Sequence, residues 1–475
     1  MILNNPLIRR YRYSLMRPRQ LWIYITIYIA VIALIVFVNY TAYQYQEWFG
    51  NQTRFFKGLY YQFLVLQVIV LCILAMINSS SAIKDEVTGK SYDFFRMLPI
   101  SAGKKATGIL VGKNLVVLLL AGVNFLLLII LGMLGRMDGI LLGRYFLAII
   151  SVAVLTNSVA LLSSINPAKA RKKNHIVLFI VLGFIFAPFV ISTIGIAVRR
   201  INIFENVTEK FYTIEFPILI LISLVALYFS CWAIKGILRR FTREDEPLFT
   251  RMGAYIFMLG FEFVLFGLFY EHLNEGAQRA NYLYWLISLL TVLLVPIWSL
   301  RSFDRYLEHS GLIQSKSAGN KNLVSAFLRY SNLLPVLVLF AIWTAGAIVT
   351  ALMTGQGLLY NLYYIVILFS FYLFLMLLLE LYVVYKPVSD KIGLLLSFIT
   401  IVSVFLPLIL SGILDNKEVY LYSLLGFCAR ILSNKSAPGF LAQTGILLIN
   451  IALCVIPIIL VWKRYKHILA ARQKM

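Results

Sequence analysis

Twelve apolar stretches of 18–26 residues recur along the whole chain, at 21–39, 60–78, 114–134, 145–165, 176–198, 217–234, 253–270, 281–300, 333–353, 359–384, 392–413 and 440–462. Each is long enough to cross a hydrocarbon core of about 30 Å as a helix. Ten of them hold no Asp, Glu, Lys or Arg, and the other two hold one carboxylate each, Glu262 and Glu380. Only 13% of the residues are charged, whereas a soluble domain carries about a quarter. There is too little charge to coat a water-facing surface, so lipid must cover most of the exterior. The pattern predicts an all-α polytopic membrane protein of about twelve transmembrane helices.

The basic residues orient it. With the N-terminus inside, the segments 1–20, 79–113, 166–175, 235–252, 301–332, 385–391 and 463–475 are cytoplasmic, and they hold 32 of the 43 Lys and Arg. Cationic loops are retained on the cytoplasmic side, which places both termini there. The net charge of +23 is then a property of the inner face, where Lys and Arg meet anionic headgroups at about 1 kcal/mol each. No nucleic-acid partner is needed to explain it.

Other features bound the chemistry. Cys72, Cys231, Cys428 and Cys454 are far apart in sequence, show no metal-ligand spacing and read as small buried hydrophobes. The first span follows an Arg-rich segment and runs into Asn39-Tyr40-Thr41, so it reads as a retained span and not a cleaved signal. The sequon Asn206-Val207-Thr208 falls on the outer side and matters only in a secretory pathway. His175, His272, His309 and His467 lie outside span centres without zinc-site spacing, and no nucleophile–base set is visible.

Two cytoplasmic segments are informative. In residues 1–20, Leu7, Tyr11 and Leu15 recur every four residues with Ile8 beside them, ringed by Arg9, Arg10, Arg12 and Arg17, and Pro18 ends the run. This predicts either an amphipathic connecting helix lying on the membrane surface or a plain topogenic arginine cluster. In 79–113, the pair Asp85-Glu86 precedes the turn-former Gly89. A stubby helix with Tyr92, Phe94, Phe95 and Leu98 as apolar knobs follows, and Asp93 and Arg96 pair at i, i+3. Pro99 stops that helix and Ser101 caps the next. Its aromatics need the headgroup layer or a partner's groove.

These residues carry a resemblance. Glu86, Asp93, Pro99, Ile100 and Ser101, followed by Gly112-Lys113 at the head of a span, resemble the permeases of type-two ATP-binding-cassette (ABC) exporters. The opening Asn5-Pro6-Leu7-Ile8-Arg9-Arg10 with Arg17-Pro18-Arg19 resembles that family's connecting helix. The match covers roughly the first 115 residues. The family places an Arg directly after the Glu, where this chain has Val87. The resemblance implies that 79–113 is the coupling region. Glu86, Gly89, Tyr92, Asp93, Phe94, Phe95, Arg96, Pro99 and Ser101 would then form its docking site for a cytoplasmic ATPase present in two copies. ATP and Mg²⁺ would sit on that partner and no cofactor on this chain. The sequence has no G-x-x-x-x-G-K-[ST]; the nearest string, Gly108 to Asn114, has the wrong spacing. Its two glycines four apart predict a close helix approach instead.

Near residue 240 the chain divides into two six-span sets, 21–240 and a diverged 241–475. Each has a long inner segment after its second span (79–113, 301–332) and a long outer one before its sixth (199–216, 414–439). Family permeases have six spans per subunit, so the chain reads as a tandem duplication. If one chain does not complete a permease, it would pair with a second copy. Glu262 lies mid-span, where a carboxylate costs a few kcal/mol, so it is expected to face the bundle and bond a neighbouring helix. Glu380 is expected to reach the interface near Lys386. Three functions stay open: an ABC export permease for a hydrophobic or amphipathic substrate, with ATP hydrolysed elsewhere; a proton- or ion-coupled carrier using Glu262; and a membrane-embedded glycosyl- or acyl-transferase using an outer acid such as Glu47. The first places the chain in the cell membrane as a transport subunit, not an enzyme.

Overall fold

In the computed structural model the described residues are 5–44, 52–88, 97–165, 208–242, 248–299, 333–355, 358–385 and 440–473. They are helices joined by short turns, apart from one short hairpin. In chain order the elements are α1 (Pro6–Leu15), α2 (Pro18–Gln44), α3 (Gln52–Val68), a π-helical turn (Ile69–Leu74), α4 (Ala75–Thr88), α5 (Ala102–Gly112), α6 (Leu115–Leu134) and α7 (Gly139–Ser164). The strands β1 (Thr208–Phe211) and β2 (Ile214–Pro217) follow. After them come α8 (Ile218–Thr242), α9 (Arg251–Asn274), α10 (Gln278–Ser299), α11 (Leu333–Met353), α12 (Leu358–Tyr385) and α13 (Phe440–Gln473).

Nine helices among the described residues are long and apolar enough to cross a membrane, and a tenth, shorter apolar run lies at Ala280–Val295. The protein is an integral membrane protein with an all-α bundle. Ten of the expected spans fall on described helices; 176–198 and 392–413 lie outside the described residues.

Contacts divide the chain into two compact units: Met1–Glu209 with Glu215–Glu244, and Lys210–Ile214 with Asp245–Met475. In the first, the α3–π–α4 rod is central. It runs unbroken from Gln52 to Thr88, at 1.5 Å per residue well beyond the roughly 30 Å of hydrocarbon. The helix of the second span therefore does not end at 78. It continues as helix and carries Asp85 and Glu86 past the core.

Packing inside the rod is a mixture of aromatics and amides. Tyr60, Tyr61 and Tyr145 meet edge to face. Gln67 and Asn124 join α3 to α6, Asn124 donating to Gln67 Oε1 at 2.7 Å and to Phe63 O at 3.0 Å. Asn157 of α7 donates to Leu71 O, a carbonyl of the π turn, at 3.1 Å. Such bonds between helices satisfy polar groups that lipid cannot. By contrast α2 has few neighbours: Trp22, Ile27, Leu34 and Phe37 are each more than half exposed, as suits a helix whose solvent is lipid. Its clasp is a reciprocal amide pair, Asn39 Nδ2 to Gln62 Oε1 at 2.6 Å and Gln62 Nε2 to Asn39 Oδ1 at 2.9 Å.

Between α5 and α6 the helix breaks at Lys113-Asn114. The Asn114 side chain donates to Leu110 O at 2.9 Å and to Ser79 Oγ at 2.9 Å. A side chain competing for a helix carbonyl is a physical reason for the break. In the second unit, α9, α10 and α11 pack together around Trp285 and Trp343, and Trp285 Nε1 donates to Thr350 Oγ1 at 3.0 Å. A separate seam joins α12 to α13 through Phe374, Leu377, Leu381, Cys454 and Val461.

Candidate functional site

The N-terminal helix shapes the first candidate site. Pro6 opens α1, and Asn5 Oδ1 caps it by accepting from Leu7 N at 3.0 Å. The expected stripe is real, but protein covers it: Leu7, Ile8 and Tyr11 are all buried, and Leu7 and Tyr11 share a core with Ile83, Ala106, Ile109, Leu161 and Ile237. A helix lying on lipid would leave that stripe free, so α1 is instead a bundle element with its arginines outward. The two glycines of α5 let it in. A Cβ on Gly108 would lie 2.9 Å from Leu7 Cβ, and one on Gly112 would lie 2.5 Å from Tyr11 Cδ2.

Two ties bind α1 to the 79–113 segment, one on each side of its undescribed stretch. At the near end Glu86, buried, accepts from Tyr11 Oη and Arg10 Nη2, each at 2.9 Å. At the far end Asn5 Nδ2 donates to Lys104 O at 2.6 Å. Beside them Lys113 Nζ meets Asp85 Oδ2 at 2.7 Å. Burial, and after it the Glu86 carboxylate, pushes the Tyr11 phenol well above its ordinary 10.0. The phenol therefore stays a donor.

Of the expected docking residues, Glu86 faces inward onto α1. Pro99 is non-helical and exposed, and Ser101 caps α5 through Lys104 N, as the sequence predicts. Gly89, Tyr92, Asp93, Phe94, Phe95 and Arg96 lie outside the described residues, as do Glu47, Cys428, the 301–332 loop and the 414–439 segment. Nothing in the sequence marks Arg10, Tyr11 and Asn5 as partners for this segment. The glycine pair was the one sequence sign that a helix would lie there.

The second candidate is Glu262 on α9. It is buried, and both its oxygens accept hydroxyl hydrogen bonds from α10: Oε2 from Tyr284 and Oε1 from Ser288. Tyr284 and Ser288 are four apart and so share a face. Gly346 of α11 closes the site; a Cβ there would lie 2.7 Å from Tyr284 Oη and 3.3 Å from Glu262 Oε2. Glu262 thus faces the bundle and bonds a neighbouring helix.

Glu380 is covered by protein, only 1% exposed, with Arg251 at the start of α9 near it; Lys386, towards which it is expected to reach, lies outside the described residues. Cys72 and Cys454 are buried, but Cys231 lies on an exposed face of α8, where a small apolar side chain is as suited to lipid as to a core. Among the described residues no cluster of His, Cys, Asp or Glu could hold a metal. No family model, curated protein or solved structure matches the chain.

Proposed function

We propose that this chain is the permease subunit of a type-two ABC exporter in the cell membrane. It has twelve spans in two six-span halves, with both termini and 79–113 in the cytoplasm. It moves a hydrophobic or amphipathic substrate using ATP hydrolysed by a separate cytoplasmic ATPase present in two copies, which holds ATP and Mg²⁺. A second copy of the chain joins if the two halves do not complete one permease.

The observation that carries the reading is that one short helix ties both ends of the motif-bearing segment, Glu86 through Tyr11 and Arg10, and Lys104 through Asn5. The stretch with Tyr92, Phe94 and Phe95 runs between those ties. A loop that must pass force between a soluble motor and membrane helices needs anchored ends, and a buried carboxylate with two donors is a firm anchor. The test is reconstitution of the chain in proteoliposomes with the ABC ATPase that co-purifies with it. ATP-dependent substrate movement that is lost when the ATPase is omitted supports the reading; movement unaffected by ATP overturns it.

A proton-coupled carrier is the second reading, favoured by one observation: among the described residues no cation pairs with the buried Glu262. Transport that collapses with the proton gradient and ignores ATP would select it.

A further inference from the structure

The Glu262 site is overlain by a strained turn. Lys210–Ile214, the tip of the β1–β2 hairpin, belong to the second unit and pack on α9. Tyr212 donates its backbone N–H to Gly267 O at 2.9 Å and its hydroxyl to Phe263 O at 3.1 Å. Its ring lies against Phe263, Phe266 and Tyr270, with centroids 5.3, 6.0 and 5.5 Å away. Gly267 makes this approach possible, since a Cβ there would sit 2.5 Å from Phe211 Cε2 and 2.7 Å from Tyr212 Cε2. Lys210 and Glu271 pair at the rim at 2.5 Å.

Tyr212 adopts φ +57, a left-handed conformation that glycine takes freely and a bulky side chain does not. Glycine is the ordinary choice at such a hairpin position. A tyrosine held there against that preference, with both its N–H and its hydroxyl bonded to α9, marks the docked side chain as the purpose of the turn.

Of the rings against Tyr212, Phe266 has its centroid 6.3 Å from that of Tyr284. Tyr284 in turn donates to Glu262. Two rings, Phe266 and Tyr284, therefore link the hairpin tip to the carboxylate. The groups that face it from the packed elements are Tyr284 and Ser288 from α10 and Gly346 from α11. From the hairpin, Tyr212 lies behind Phe266, with the Lys210–Glu271 pair at the edge. On the α11 side the site has no room even for a methyl group at position 346, and the smallest ligand a carboxyl takes is a proton. Both hydroxyls now donate to the carboxylate; if Glu262 is protonated, either one can turn its O–H away and accept instead. The trio thus accommodates either state of the carboxyl.

We propose that Glu262 is a proton-binding site gated by the hairpin tip. With Tyr212 docked the carboxyl is sealed, and with the tip lifted it exchanges protons with the water on the hairpin's side. The inference goes beyond the permease reading and does not rest on it, since the gate works the same way in an ATP-driven or a gradient-driven protein.

The experiment uses the full chain in lipid nanodiscs and a water-soluble carbodiimide. A protonated carboxyl adds its O–H across the reagent's C=N bond, and the O-acylisourea rearranges to a stable N-acylurea with no leaving group. Mass spectrometry of the peptide holding residue 262 reads the adduct. The expected result is slow labelling of the wild type that falls as pH rises, and faster labelling, by about tenfold, in Tyr212→Gly, which keeps the turn but loses the ring and its hydrogen bond. Gly267→Leu, which displaces the tip from the opposite side, should give the same increase. Equal rates in wild type and Tyr212→Gly, labelling indifferent to pH, or no adduct at Glu262 in any of the three would overturn the proposal. None of these readouts involves an ATPase, so a failure here is distinct from a failure of the permease reading.

Discussion

Tyr11 in the N-terminal helix and Glu86 at the end of the second span, 75 residues apart in sequence, meet through a 2.9 Å hydrogen bond in a buried setting. The carboxylate also takes Arg10 Nη2, so one side chain holds two donors from one turn of α1. Tyr11→Phe removes one donor and leaves the other, at an expected cost of about 1–3 kcal/mol for a bond to a charged group. Glu86→Gln keeps the shape but loses the charge that draws Arg10. Thermal unfolding should place both variants below the wild type; Tyr11→Phe unfolding at the wild-type temperature would mean the bond contributes nothing.

The same phenol makes a pH prediction. Its ionisation is shifted upward, first by burial and then by Glu86. A group whose folded pKa is raised lends stability that is fully present below its unfolded value, about 10, and lost as pH climbs through the folded value. Subtracting the tyrosinate absorbance of Tyr11→Phe from that of the wild type should therefore leave no signal at pH 10, where a free phenol is half ionised. A half-developed difference at that pH would show Tyr11 to be solvent-like.

Gly112 tests the seat of α1. A Cβ there would overlap the Tyr11 ring, which is fixed by its bond to Glu86 and cannot swing clear cheaply. Gly112→Val should expel α1 and expose the bonds after Arg9, Arg10 and Arg12 to trypsin, while the spans remain in the membrane. Gly103→Val serves as the control, because its nearest outside atom would be 4.0 Å from the added Cβ.

Much of this architecture was legible in the residues. Span positions follow from uncharged apolar runs, because lipid imposes one rule along the whole chain. The direction of Glu262 followed from the cost of a mid-span carboxylate, and the close approach at Gly108 and Gly112 from their spacing. What escaped were partners fixed by tertiary placement. The Leu7–Tyr11 stripe looks the same whether lipid or α5 covers it. Glu86 looks like any loop acid until the rod is seen to continue to Thr88. Tyr284 and Ser288 carry no sign in sequence that they aim at Glu262, and Glu380 gave no sign that it stays buried.

Glu262→Gln separates the two transport readings. An amide keeps the size of the site beside Gly346 and can still bond Tyr284 and Ser288. If ATP drives transport, the variant should keep most of its ATP-dependent flux. If the proton gradient drives it, the same variant should lose coupling entirely, because the titrating group is gone.

The last prediction follows from the permease reading and concerns which of the two long loops would meet the proposed ATPase. Tyr92, Phe94 and Phe95 place large apolar area on the segment tied at both ends by α1, whereas 301–332 has no such cluster. Truncating a well-buried aromatic anchor costs about 2 kcal/mol or more, roughly thirtyfold in affinity. Phe95→Ala should therefore lower co-purification of the ATPase and uncouple hydrolysis from transport while the protein still inserts. Arg96→Ala should do less if its partner is Asp93, since an exposed pair contributes about 0–1 kcal/mol. Tyr306→Ala should also do less. Tyr11→Phe leaves the aromatics in place and loosens the tie beneath them, so it should reduce coupling more than co-purification. Equal losses from Phe95→Ala and Tyr306→Ala would show both loops docking alike. No loss from either would place the 92–98 aromatics in the headgroup layer and remove the main argument for a motor partner.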